Sequence, residues 1–428
     1  MKRFALVALV AALLFSMVTS ASATELKVRG NIDVYGMWSA NLYDYDSDAA
    51  DGDNYSTTQR MRAYFDYVAN ENLKAVLGLE IDNVWGDGPT ADWGTDGKSN
   101  IEVKHAYLDF TFPDTQINVQ AGLQYIALPS VFGNPVFDDD GAAITVSAPI
   151  NEMFALTVGY TRGQDGSTTF TGNGTLDKDD IDMAFIAAPI TLDGFSFAPY
   201  FAYAWIGENS GGTFDNADDD STVWVLGANA ELTMFDPLTF AADLIYGVGE
   251  NNDYETKGWY GALAASYKMD MLTATLFTTY FSGADDEADE DNYMPTLAEG
   301  WGLTPYIGGV RAFSTSWDTF SGLDADMNLA SWVVGLKLAK IQFIEKLSHE
   351  LTLAYAMGTN DEDATNAAGK SYAFDEEDSA WEVYFVNKYM IYENLAAINE
   401  LGFFAPDFDD TDDEDDSYFA TVGFQYKF

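Results

Sequence analysis

Five basic residues in the first part of the chain, Lys27, Arg29, Arg60, Arg62 and Lys74, fall on alternate positions of segments whose other positions are mostly oily. Guanidinium and ammonium groups repeated in this way make a ladder of fixed positive charge. Its chemistry is electrostatic: it pairs with carboxylates, attracts anions and orients dipoles. Carboxylates of the same parity, Asp33, Asp66, Glu80 and Asp82, stand among these residues, and a second acidic group, Asp138, Asp139 and Asp140, lies near the end of a Pro- and Gly-containing stretch from Ile126 to Ala142. Two readings stay open. Either the three aspartates face the ladder across a gap and set up a transverse field, or the basic residues pair with Asp33, Asp66, Glu80 and Asp82 on neighbouring strands as a salt-bridged wall. Nucleophilic and metal chemistry have little footing, because the chain has no cysteine and only His105 and His349, neither within a recognisable motif. No enzyme and no resident cofactor is expected.

The elements that would carry the ladder are strands. From Leu26 to Leu42 the even positions Leu26, Val28, Ile32, Val34, Trp38, Ala40 and Leu42 are apolar, and the odd positions Lys27, Arg29, Asn31, Asp33, Ser39 and Asn41 are polar. Met61, Ala63, Phe65 and Tyr67 oppose Arg60, Arg62 and Asp66 in the same way, and Leu73, Leu77, Leu79 and Ile81 oppose Lys74, Glu80 and Asp82. Period two over a crossing of about ten residues, with very short connections alternating with long acidic ones, is the pattern of a transmembrane antiparallel β-barrel. Arginine on the lipid face would cost about 2–4 kcal/mol at mid-membrane, so the basic residues are assigned to the lumen. The pattern predicts an all-β barrel of about 18 strands, with 16 as the alternative. Ile181 to Pro189 and Leu272 to Phe281 are apolar on both faces, and the long acidic stretch from Gly283 to Asn328 has no evident role. A soluble β-sandwich is disfavoured by the strand lengths and by the uniform composition.

Lys2 and Arg3, the apolar run Phe4 to Val18 and the small residues Ala21-Ser22-Ala23 form an export signal, expected to be cleaved so that residues 24–428 make a single barrel domain. The chain carries 69 acidic and 20 basic residues. That balance excludes nucleic acid as a partner and suits solvated outer loops and a wet lumen. The runs Asp409 to Asp416 and Asp285-Asp286-Glu287 are hard oxygen ligands for weak Ca²⁺ binding, and Asp44-x-Asp46-x-Asp48 begins like a calcium loop but lacks its glycine and distal glutamate. Solvated acidic loops are the simpler reading. Trp38, Trp85, Trp205, Trp224, Trp259, Trp332 and Trp381 read as an interfacial girdle rather than a sugar slide.

The closing run Tyr418 to Phe428 alternates oily and polar residues and ends on an aromatic, with Tyr426 and Phe428 as the expected assembly signal. Together with the opening Glu25-Leu26-Lys27-Val28-Arg29-Gly30-Asn31-Ile32-Asp33-Val34-Tyr35-Gly36, it resembles the general porins of Gram-negative outer membranes, and most of all the homotrimeric porins of sulfate-reducing bacteria. The resemblance implies a homotrimer; outer-membrane lipid, lipopolysaccharide phosphates bridged by divalent ions at the acidic outer loops, and the barrel assembly machinery are the other expected partners. It also implies one water-filled pore per subunit, narrowed by a loop that folds inward after the fifth strand, here near 126–142. That family's Pro-Glu-Phe-Gly signature is only approximated by Pro129-Ser130-Val131-Phe132-Gly133. The function expected on this basis is passive diffusion of ions and small hydrophilic solutes; a substrate-specific channel and a non-conducting structural barrel are the alternatives.

Overall fold

Period-two alternation permits a sheet with one oily and one polar face. In a bilayer such a sheet must also close, because an open edge would leave unpaired backbone groups in hydrocarbon. The computed structural model describes residues 24–42, 45, 53–86, 100–165, 180–208, 210, 220–251, 255–286, 290–313, 330–364, 374–409 and 414–428. The wall runs in sequence order through β1 (Glu25–Ala40), β2 (Asp53–Asn70), β3 (Leu73–Val84), β4 (Asn100–Thr111), β5 (Asn118–Ala127), β6 (Asp138–Pro149) and β7 (Ala155–Gln164). β8 (Ile181–Ala187) and β9 (Ile190–Leu192) are two halves of one wall strand, since both pair with β10 (Phe195–Ile206). Pro189, which has no amide hydrogen to donate, sits in the break between them. β11 (Ser221–Phe235), β12 (Leu238–Glu250), β13 (Glu255–Lys268) and β14 (Thr273–Phe281) follow. The wall resumes at β16 (Ser331–Ile344), β17 (Leu347–Gly358), β18 (Ser379–Tyr392), β19 (Leu395–Asp407) and β20 (Ser417–Lys427). The short β15 (Glu290–Asp291) instead pairs parallel with β13.

The wall therefore has 18 antiparallel strands, and β1 closes it by pairing with both β2 and β20. Phe428 takes part in the seam: its amide donates to the Gly30 carbonyl at 3.0 Å, and Gly30 returns a bond at 2.8 Å. Parity follows the alternation through most of β1 but fails at its long-loop end, where Ala40 and Leu42, expected on the lipid face, are buried at 3% and 2% exposure. In β1 Asp33, Tyr35, Met37 and Ser39 are buried, whereas Leu26, Val28 and Trp38 are exposed. Trp38, Trp85, Trp205, Trp259, Trp332 and Trp381 are all exposed at the long-loop ends of their strands. The opposite ends join through tight turns such as Glu71-Asn72, Asp193-Gly194, Asp236-Pro237 and Glu345-Lys346. Among the described residues no helix is long and apolar enough to cross a membrane. The signal segment 1–23, the residues Asp44, Asp46 and Asp48, Glu287 and the run Asp410 to Asp413 lie outside the described residues.

Two expectations change. Asp138, Asp139 and Asp140 are not loop residues but the first residues of β6, with the loop confined to 128–137. The stretch from Gly283 is not simply a solvated outer loop. Residues 294–313 fold into the barrel and bury Met294, Trp301, Tyr306, Ile307 and Phe313 to 3% exposure or less. They meet the inward faces of β12 to β16, where Ile245, Tyr260, Phe281 and Val333 are fully buried. The long-loop half of the lumen is thus a packed apolar core, not the wet channel that composition suggested. This resolves the ambiguous segment Leu272 to Phe281: its second oily face is covered by chain rather than by lipid.

Candidate functional site

The basic ladder lies on the lumen side of β1 to β3, and each member has a carboxylate, supplied by a neighbouring strand for all but Lys27. Arg60 stands opposite Asp82 and grips it with both arms, Nε to Oδ1 at 2.7 Å and Nη2 to Oδ2 at 2.9 Å, with Glu80 at 3.5 Å. Arg62 stands opposite Glu80 and is bonded to it. Arg29 reaches Asp66 at 3.3 Å and lies over the Tyr64 ring at 4.5 Å. Lys74 reaches Asp109 at 3.2 Å. Among the described residues Lys27 pairs with Glu25 alone, at 3.5 Å, near the short-turn rim. Asp33 accepts from Asn31 at 3.2 Å. The Arg60–Asp82 pair is almost completely buried, and such pairs hold their geometry because loss of either partner strands the other charge in low dielectric.

The three aspartates take other partners. Register slips by one residue between Gly78/His105 and Leu79/Val103, which leaves Lys104 as a bulge; bulges re-aim side chains. Lys104 and the neighbouring His105 both reach Asp140, at 2.5 Å and 3.0 Å. Asp138 accepts from the Tyr125 hydroxyl and from the Asn134 amide. Asp139 is exposed. A cavity of about 400 Å³ opens beside Asp139 and Asp140, between Leu297-Ala298 and a wall of Thr161, Arg162 and Met183.

The segment after the fifth strand crosses the lumen. Asp243 of β12 accepts from Ser130 Oγ at 2.8 Å and from the Val131 amide at 2.7 Å, while Asn229 supports its other oxygen at 2.7 Å. Asn134 donates to the Tyr200 hydroxyl at 2.9 Å, and the Phe132 ring lies 5.6 Å from that of Phe277. The second inward segment meets the first edge to edge. Gly302 donates to Phe132 at 3.0 Å, Gly300 to Asn134 at 3.1 Å and Ala298 to Val136 at 3.0 Å.

Two buried wall carboxylates latch that second segment. Glu382 accepts from Thr304 and from the Tyr306 amide at 3.2 Å. Glu400 accepts from Arg311 at 3.0 Å, from the Ala312 amide at 2.7 Å, from Tyr384 at 2.6 Å and from Thr421 at 2.8 Å. Ser417 donates to the Ala40 carbonyl at 3.1 Å, so the Tyr306 hydroxyl, 2.8 Å away, is the donor to Ser417. Burial pushes the Tyr306 phenol above its ordinary pKa and keeps it a neutral donor. Tyr306 stacks on Phe404 at 4.8 Å and Phe313 on Tyr35 at 4.5 Å. Asp243, Glu382, Glu400, Arg311 and Asn134 were not picked out from sequence. The available signal was an acid of lumen parity flanked by oily neighbours, as in Trp381-Glu382-Val383.

No protein-family model matches the chain, and none of the curated proteins matches it. Solved structures are similar over nearly the whole length. OpdL of Pseudomonas aeruginosa shares 13% identity at a TM-score of 0.56, covering 94% of this chain and 99% of that one. The outer membrane protein OprD from Pseudomonas aeruginosa shares 12% identity at 0.55, covering 96% of each chain. OccAB4 of Acinetobacter baumannii shares 11% identity at 0.56, covering 95% of this chain and 98% of that one. At such identities the likeness is one of fold. Taken with the oily exterior and the aromatic girdle, it makes this chain a multi-pass β-barrel of the outer membrane.

Proposed function

We propose that the protein is a selective channel that lets ions and small hydrophilic solutes descend their gradients across the outer membrane. The observation that carries this reading is the meeting of residues 128–137 and 294–313 inside the barrel. A general pore calls for a wide wet lumen; two segments pinned to opposite walls favour a narrow, discriminating path, with the salt-bridged ladder beside it. The fold shared with OprD supports a channel. A non-conducting structural barrel is the second reading, favoured by the apolar packing of the long-loop half. Conductance of the purified protein in a planar bilayer decides between them. Small steps that saturate with a permeant solute are expected; silence from folded protein would sink the channel.

The ladder supplies a second expectation. Arg62→Gln leaves Glu80 with one fewer counter-charge, so the reversal potential under a salt gradient should move toward cation preference. An unchanged potential would remove this pair from the ion path.

The reading also includes a homotrimer and contact with lipopolysaccharide and the assembly machinery. The trimer is supported by a polar row of lipid parity: His349 Nδ1 donates to Asn387 at 2.6 Å, Asn387 to Asn399 at 2.9 Å and Asn399 to the Thr421 carbonyl at 2.7 Å. Polar groups facing hydrocarbon are costly, and a second copy of the chain would relieve them. Asn387→Leu should therefore convert oligomer to monomer in mild detergent; oligomers that persist would place the contact elsewhere.

A further inference from the structure

We infer that the short-turn mouth of the lumen holds a binding site for a dissolved oxyanion, a phosphate or carboxylate group carried by a solute, built by Lys340, Lys346 and Lys388. These lysines line a cavity of about 430 Å³ with Gln342, Ser348 and Glu350. The cavity's one acid is already engaged, since Glu350 is paired with Lys337 at 2.6 Å. Among the described residues no carboxylate lies within 4.0 Å of any of the three ammonium groups. Asp33 attracts Lys388 only from beyond contact distance. In a chain with 69 acids and 20 bases, three lysines gathered without a carboxylate in contact need a reason. Like charges repel in a shared space, and an anion turns that repulsion into attraction.

The backbone points the same way. Register between β16 and β17 slips twice, between Leu338 and Ile341 and between Ile341 and Ile344. Lys340 and Lys346 have φ values of 57° and 67°, a left-handed conformation that glycine adopts freely and lysine resists. Gln342 and Ser348 add neutral hydrogen-bond donors of the kind that complete an anion site. A lipid phosphate is a second source of the same chemistry, because Phe343 and Ile344, 70% and 62% exposed, put the inner leaflet nearby. Ser348, Val386, Lys388 and Met390 share the lumen parity of Ala354 and Tyr384, which favours the dissolved solute.

The proposal rests on the channel reading only for the solute's access, and the test keeps the two apart. Titration calorimetry with inorganic phosphate on the full chain in non-ionic detergent should show saturable binding. Lys340→Gly with Lys346→Gly, which suits the backbone while removing two charges, and separately Lys388→Gln, should each weaken it by about tenfold or more, corresponding to about 1.4 kcal/mol or more. No binding to the natural chain, or equal binding to the variants, overturns the site. If phosphate does not bind but phosphatidylglycerol vesicles are retained by the natural chain and released by the variants, the ligand is lipid and the dissolved-solute proposal falls. In bilayer recordings a silent protein condemns the channel reading alone. A conducting protein whose response to phosphate is the same in the variants condemns the site alone.

Discussion

Glu400→Ala is expected to raise single-channel conductance severalfold while leaving the barrel intact. The substitution deletes the acceptor for Arg311, for the Ala312 amide, for Tyr384 and for Thr421 at once. Arg311 and Glu400 are 2% and 0% exposed, so the guanidinium would lose a fully buried counter-charge. Breaking such a pair typically costs about 3–5 kcal/mol. A two-state segment biased by about 5.5 kcal/mol moves from one part in a hundred to ninety-nine. The wall ladders of β18 to β20 are made by backbone and survive the change. Recordings in planar bilayers, with circular dichroism to confirm the sheet, measure the effect. Conductance equal to that of the natural chain would show that residues 294–313 do not limit the path.

Gly423→Val is expected to abolish the folded barrel. Gly423 lies in the seam strand, paired with Tyr35 on one side and Ile398 on the other. A Cβ there would fall against the Val34 carbonyl oxygen and Tyr35 Cβ, closer than side-chain carbons come to such atoms, so β1 and β20 could not meet. An unclosed wall leaves two strand edges without partners in hydrocarbon, where each unsatisfied group costs several kcal/mol. Folded outer-membrane barrels run faster than boiled ones on a denaturing gel, and the fast band should vanish. Gly261→Ala is the control, because its Cβ would meet nothing nearer than the Trp259 ring at 3.5 Å. A normal fast band for Gly423→Val would mean that the seam tolerates a shift.

The wall was legible because lipid and water select residue types with the strand's own period. Arg29, Arg60, Arg62 and Lys74 alternate with Val28, Met61, Ala63 and Leu73, and that alternation gave inside and outside before any contact was known. The filled half of the lumen was not legible in this way. On β12 to β14 the inward Ile245, Tyr260 and Phe281 look like lipid-facing residues, because burial under another segment selects the same side chains as burial in lipid. Composition places Asp138 to Asp140 in a loop, because it marks acidity but not where strand pairing begins. The latch carboxylates stayed hidden for a different reason. Glu382, Glu400 and Asp243 take their meaning from partners 76, 89 and 112 positions away, and no local pattern encodes such a distance.

Those separations also set an order of events. Residues 294–313 are separated from Glu382, Glu400 and Ser417 by 76 to 111 positions of chain. Closing so long a loop is slow and entropically disfavoured until the intervening strands hold its ends together. The segment's latches therefore become favourable only once β16 to β20 are in place and β20 has met β1, since that wall holds Glu382, Glu400 and Ser417 in reach. On that expectation closure of the wall comes first and filling second, so the step that completes the interior is also the one that narrows it.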